Sequence, residues 1–316
     1  MARNKKIQNL LRGDTKTFKT ILQVLVVILL LLILICVFKT CIECSPEHQR
    51  KKIIDRTGYL PDNENWDNIH NVIPPFHDND LDSLPNRVSL ENFFPPIGKQ
   101  GNYGTCVAWA VGYNLKTALN AIDNHWTHEQ LDSAIYQTSP KDLWLSIPRS
   151  QKGQSCEGTC FEPAFEALMS DGVATMQAVP YQNLGSCNGK KTGDSNNKLV
   201  SFSRVIADSV TLIPKTEQIK AYLNAGTPLV LGAKLGDRFM NWSSGDVINF
   251  DTYNSPEMMH AVHAMVLTGY DDSKNAFRVR NSWGKEWGDE GSIWVDYQFF
   301  SNSFCVAVFV AQNKPI

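Results

Sequence analysis

The sequence predicts an α+β fold behind one transmembrane helix, with helices gathered early in the folded part and strands late. Three patterns carry that expectation. An almost wholly apolar run covers residues 20–38. Val107, Val111, Leu115, Ala118, Leu119 and Ile122 recur at helical spacing. Segments 263–270 and 276–283 read as strands.

In chain order, residues 1–19 form a basic tail carrying Arg3, Lys5, Lys6, Arg12, Lys16 and Lys19. The apolar run 20–38 comes close to the roughly 20 residues a membrane helix needs. It exceeds the core of a signal peptide, about 7–15 residues, and no small-x-small cleavage site follows it. A single signal anchor is the expectation. The denser basic cluster precedes the run, so the N-terminus is expected in the cytoplasm and the remainder outside it, in a periplasmic, extracellular or lumenal space. Residues 39–83 read as a polar, mostly irregular tether, with Pro74-Pro75 and Asp78-Asn-Asp80. The folded domain is expected over 84–316.

Inside that domain, Thr105 reads as a helix N-cap and Cys106 opens the helix behind it. A thiol there sits at the positive end of a helix dipole, which favours the nucleophilic thiolate. His263 lies near the start of one strand and can supply the imidazolium that stabilises the thiolate and protonates a leaving amine. In the next strand Phe277, Val279 and Asn281 share one face, and Arg278 and Arg280 the other. Asn281 thus emerges on the apolar side, where its amide oxygen can fix the imidazole tautomer. Trp283 would shield that bond from water. Gln100, six residues before Cys106, can donate to an oxyanion together with the Cys106 backbone N–H.

Gln100, Cys106, His263 and Asn281 in this order, followed by Gly284, Gly288 and Gly291, resemble the papain-like cysteine peptidases (peptidase family C1). The likeness is to a bacterial-type variant without the long inhibitory prosegment, and it runs from about residue 84 to the C-terminus. It implies a two-lobed fold, with a largely helical N-terminal lobe over about 84–199 and an antiparallel, barrel-like sheet over about 200–316. It implies Cys106 as nucleophile, His263 as base and acid, Asn281 as orienter and Gln100 as oxyanion donor. The loop from Cys156 resembles the family's substrate-binding glycine loop, which points to Gly158 and Thr159, with Val262 and Trp283, as substrate-binding residues. Peptide or protein is the implied substrate.

The pattern also departs from the family. Val107 stands where a tryptophan is usual, with Trp109 two further on, and Thr159 replaces a glycine. Tyr103 replaces a disulfide cysteine, so Cys156 must pair elsewhere; Cys187 with Cys156 or Cys160 is the expected disulfide. Residues 123–137 read as an insertion near the cleft. Two other readings share these residues: a binding or adaptor module with little turnover, and an amidase or transpeptidase acting on cell-wall peptides.

The remaining features point to little more. A net charge of −2 gives no footprint for nucleic acid. Cys41-Ile-Glu-Cys44 has no second pair to complete a zinc site, so neither metal nor cofactor is called for. His260 reads as a loop histidine, Asp271-Asp272 as a hairpin turn, and Asn241-Trp-Ser243 as a glycosylation sequon. Nothing in the sequence sets an oligomeric state.

Overall fold

The structure, a computed structural model, describes residues 20–32, 57–60, 76–77, 81, 83–182, 184, 187, 189–206, 213–254 and 261–314. The chain divides into two units, Met1–Lys51 and Lys52–Ile316. In the first, residues 20–32 are helical. The expected transmembrane helix does not stand: among the described residues no helix is long and apolar enough to cross a membrane. The described helical stretch rises about 20 Å, short of the roughly 30 Å of a bilayer core.

The second unit holds the site. Its helical half is built round one continuous helix that starts at Cys106, takes π form over Ala108–Leu115 and continues as α1, Lys116–Asn124. The helical spacing read from the sequence is the buried face: Val107, Val111, Leu115, Ala118 and Leu119 are all core residues. A π stretch is uncommon and tends to occur at functional sites. Around the central helix pack α2 (His128–Leu131), α3 (Pro140–Ser146) and α4 (Phe161–Ser170). Ser139 caps α3 by accepting from the Asp142 N–H, with Pro140 at the first helical position. Residues 123–137 fold onto the helical half: Thr127 and Gln130 form a capping box, and Gln137 bonds Tyr113 and the Leu131 carbonyl.

The other half is an eight-stranded sheet. Its strands are β1 (Arg87–Ser89), β2 (Ser201–Val205), β3 (Leu229–Lys234), β4 (Val247–Ile248), β5 (Val262–Asp271), β6 (Ala276–Arg280), β7 (Ser292–Asp296) and β8 (Cys305–Gln312). The order is β2-β8-β3-β5-β6-β7-β4, with β1 pairing β5. All pairs are antiparallel except β4 with β7. The strand read over 263–270 lies within β5, while the one read over 276–283 ends at Arg280. β3 and β5, at the centre, are almost wholly buried and read as continuous apolar runs. Asp271 closes β5, and the chain turns through Asn275, in left-handed conformation, into β6.

Arg280 departs from the alternation read in the sequence. It stands on the face opposite Val279 yet is buried, 5% exposed. Its guanidinium pairs with Glu91 at 2.9 Å and bonds Asn114 of the π turn at 3.2 Å and the Pro95 carbonyl. The helical half covers that face of β6, and a buried cation there is tolerated because its donors meet fixed acceptors.

Candidate functional site

Cys106 begins the central helix and is fully buried. The Thr105 hydroxyl, read as a cap, bonds the Tyr181 hydroxyl at 2.7 Å. Tyr181 in turn donates to the Gln100 carbonyl at 3.0 Å, so it ties the 100–105 loop to the segment after α4. Trp109 stacks edge-on against both Tyr113 and Tyr181, while Val107 packs in the core. The departure from the usual pattern thus moves the indole by half a turn and keeps an aromatic wall under the loop.

His263 is the second residue of β5 and lies opposite Ala233 of β3. Asn281 follows β6 directly. Their side chains meet: His263 Nε2 and Asn281 Oδ1 are 2.7 Å apart. The Trp283 ring lies over the imidazole with centroids 4.7 Å apart. With Nε2 engaged, His263 Nδ1 has no hydrogen-bond partner among the described residues. Gln100 is drawn to the same place by the chain that carries Asn281. Its N–H donates to the Ser282 carbonyl at 2.8 Å, and Ser282 Oγ donates to its Oε1 at 2.6 Å. The Gln100 Nε2 donates to the Tyr103 carbonyl at 2.9 Å.

The electrostatics are those of a closed site. Desolvation pushes the Cys106 thiol up to about 12, against weaker opposing bonds to the Ala264 and Val107 backbone. Desolvation also brings His263 down to about 4, opposed by its bond to Asn281. Both groups are therefore neutral as folded, held at 0% exposure.

What closes the site was not legible in the sequence. Residues 57–60, inside the stretch read as a tether, lie in the cleft. Tyr59 forms a parallel bridge with Thr159. The Thr159 N–H donates to the Gly58 carbonyl at 2.8 Å, and the Leu60 N–H to the Thr159 carbonyl at 3.0 Å. The Tyr59 N–H reaches the Val262 carbonyl at 3.4 Å. Gly58, at φ +104°, presses on the residue two before the thiol: a Cβ there would lie 2.4 Å from the Gly104 carbonyl oxygen. Three of the residues expected to bind substrate, Gly158, Thr159 and Val262, thus touch this strap. Thr159 makes the backbone approach despite its side chain, since its N–H and carbonyl both bond the strap and the residue is buried. The fourth, Trp283, borders a cavity of about 350 Å³ lined by Lys99, Asn102, Trp242 and Trp287. One half of the cleft is covered and the other open.

Cys156 and Cys187 form the disulfide that anchors the 156–159 loop, and Cys160 is free. Cys305 is also free and buried. His260 lies outside the described residues. No group of acidic, histidine and cysteine side chains able to hold a metal ion is found among the described residues. Tyr181 and the strap are the parts of the site that sequence reasoning missed. Tyr181 carried a signal only as a tyrosine after Pro180, and the strap carried none.

The profile of the papain family of cysteine proteases matches residues 84–306. A probable cysteine protease of Arabidopsis thaliana, RDL6, is 28% identical over 244 residues, spanning 74% of this chain and 62% of that protein. A cathepsin B-like protein of Giardia intestinalis, CP3, is 26% identical over 215 residues, 66% of this chain and 67% of that protein. The chain thus spans under two thirds of the length of the plant relative. Among solved structures, xylellain, a cysteine protease of Xylella fastidiosa, superposes with a TM-score of 0.65 at 23% identity, covering 83% of this chain and 97% of its own. The stem bromelain precursor gives 0.63 at 18% identity, covering 84% and 80%. At these identities the two structures speak for the fold.

Proposed function

Because the chain belongs to the papain family of cysteine proteases, we propose that it hydrolyses peptide bonds through a thioester on Cys106. The observation that carries this reading is the 2.7 Å contact between His263 and Asn281 beneath Trp283, next to a cysteine that heads a helix. With Nε2 held by Asn281, Nδ1 is the nitrogen left to take the Cys106 proton. The thiolate then attacks the scissile carbonyl carbon. The tetrahedral oxyanion is met by the Cys106 backbone N–H and by Gln100 Nε2, an amide nitrogen that carries two protons and donates to the Tyr103 carbonyl in the closed state. The imidazolium returns its proton to the leaving amine, and the S-acyl bond remains. Water, deprotonated by the same imidazole, then releases the acid and restores the thiol.

The pair in the closed state is neutral, and a substrate-ready pair needs the strap out of the way. Rehydration of the cleft lowers the thiol and raises the imidazole toward their ordinary values, which makes proton transfer accessible. The Cys156–Cys187 disulfide supports an oxidising, extracytoplasmic setting for this unit.

The test is hydrolysis of a mixed peptide library by the full chain and by Cys106→Ala, with folding followed by circular dichroism. The reading requires cleavage by the parent and none by a folded Cys106→Ala. Equal cleavage by both, or cleavage by neither once the strap is displaced, removes it.

A further inference from the structure

We propose that a pocket over the C-terminal end of α1, built in part by the inserted segment 123–137, binds a neutral pyranose sugar that bears an acetamido group. The proposal does not depend on the hydrolase reading, because this pocket is no part of the cleft. Asn120, which lines it, lies about 20 Å along the central helix from Cys106.

The way α1 ends shapes one wall. His125 is left-handed, at φ 54°; its N–H reaches the Ile122 carbonyl at 3.4 Å, and the Trp126 N–H reaches the Ala121 carbonyl at 3.0 Å. These two bonds make a Schellman closure, which turns Trp126 back beside the helix. The Trp126 ring meets Tyr136 edge-on with centroids 4.9 Å apart, and the Tyr136 hydroxyl accepts from Gln130 at 3.2 Å. Both rings are half-buried, and Ile135 beside them is 53% exposed. The wall is therefore apolar, fixed in place and open to solvent. The floor is polar and equally fixed. Asn120 Nδ2 donates to Asn197 Oδ1 at 2.9 Å, and Asn197 Nδ2 donates to the Val173 carbonyl at 2.8 Å. Asn120 Oδ1 accepts from Lys116 Nζ at 2.6 Å and from Asn313 Nδ2 at 3.0 Å. These amides are ordered before any ligand arrives, which removes that cost from binding. Asn124 and Asn196 stand exposed at the rim.

The cavity holds about 220 Å³, below the roughly 300–1,000 Å³ of a drug-sized site, and suits a single ring. No charged side chain lines it among the described residues, so a phosphate, a sulfated sugar or a peptide terminus gains no ion pair there. An aromatic wall facing asparagine amides fits a pyranose: the C–H face of the sugar packs on the indole while its hydroxyls bond the amides. An acetamido group adds a donor N–H and an acceptor carbonyl, which an asparagine side chain answers with its own acceptor and donor. Its methyl group finds Ile135 at the apolar edge.

The experiment is calorimetric titration of the full chain with chitotriose, a neutral acetamido trisaccharide, beside maltotriose, which offers rings and hydroxyls without the acetamido group. Chitotriose is expected to bind about tenfold more tightly than maltotriose or better, and Trp126→Ala to weaken it by about tenfold or more. Ile135→Ser and Asn196→Ala change exposed side chains, so they keep the test alive if Trp126→Ala fails to fold; each is expected to weaken chitotriose several-fold, with folding followed by circular dichroism. Binding of neither sugar, equal binding of the two, or unchanged chitotriose affinity in the folded variants overturns the proposal. The readout needs no turnover, so a chain that binds the sugar and cleaves nothing refutes the hydrolase reading and leaves this site in place.

Discussion

His263 and Asn281 form a buried, hydrogen-bonded pair, and that burial has a pH signature. Burial holds the imidazole near about 4 against an ordinary 6.5. Between those values the unfolded chain takes up a proton that the folded chain refuses, so stability is present above about 6.5 and is lost as the pH falls toward about 4. Thermal melts across that window are expected to show a falling midpoint, and His263→Ala to flatten the slope. Gln100 has a different signature. Its side chain donates to the Tyr103 carbonyl and accepts from Ser282 Oγ in the closed state. Gln100→Ala is expected to cost about 10²–10³ in kcat with a smaller change in KM, measured on a variant with a weakened strap such as Tyr59→Ala. A change confined to KM would assign Gln100 to ground-state binding. Order and spacing singled out Cys106, His263, Asn281 and Gln100 as a set, and the structure places His263 against Asn281 and Gln100 against Ser282. Arg280 was not legible in that way. Its partner Glu91 is 189 positions away, and alternation alone placed it on a polar face.

At the scale of elements, the site depends on three short ties. The segment after β6 fixes Gln100, Tyr181 fixes the loop before Cys106, and Arg280 fixes the turn at Glu91–Phe93 against β6. The third is testable through stability. Glu91→Gln leaves a guanidinium that is 6% exposed without its carboxylate, an expected loss of about 3 kcal/mol by denaturant titration. An effect below a few tenths would show that the Asn114 and Pro95 acceptors carry that charge alone. The disulfide is a covalent tie beyond these three. Serine at both Cys156 and Cys187 opens a loop of sequence separation 31 and is expected to lower stability by about 3 kcal/mol. Because the bridge anchors the loop that pairs with the strap, the same variant is also expected to expose Cys106 faster to iodoacetamide. The helix and strands behind these ties were legible, since 107–122 and 263–281 carry clean helical and alternating patterns. The strap was not. Thr57-Gly-Tyr-Leu60 has no periodicity, and its meaning lies in the loop and strand it meets.

For the whole molecule, the sequence order brings a helical half and a sheet together so that a helix start and a strand start face one another. The sheet order β2-β8-β3-β5-β6-β7-β4 places β3 and β5 at the centre, with Gly232 opposite Ala264 and beside His263. That order comes from long-range pairing, which no local pattern encodes. The expected membrane span is not found: among the described residues no helix is long and apolar enough to cross a membrane. The account's central claim is that Cys106 is a nucleophile activated by His263 once the strap leaves. The most direct measurement is labelling of the Tyr59→Ala chain by a peptidyl epoxide, read by intact mass, beside the same chain with Cys106→Ala or His263→Ala added. One adduct on Tyr59→Ala, none without Cys106 and a reaction slowed by about 10²–10⁴ without His263 is the result this account predicts. A folded Tyr59→Ala protein whose Cys106 reacts with iodoacetamide but never with the epoxide, or reacts equally well without His263, would contradict it.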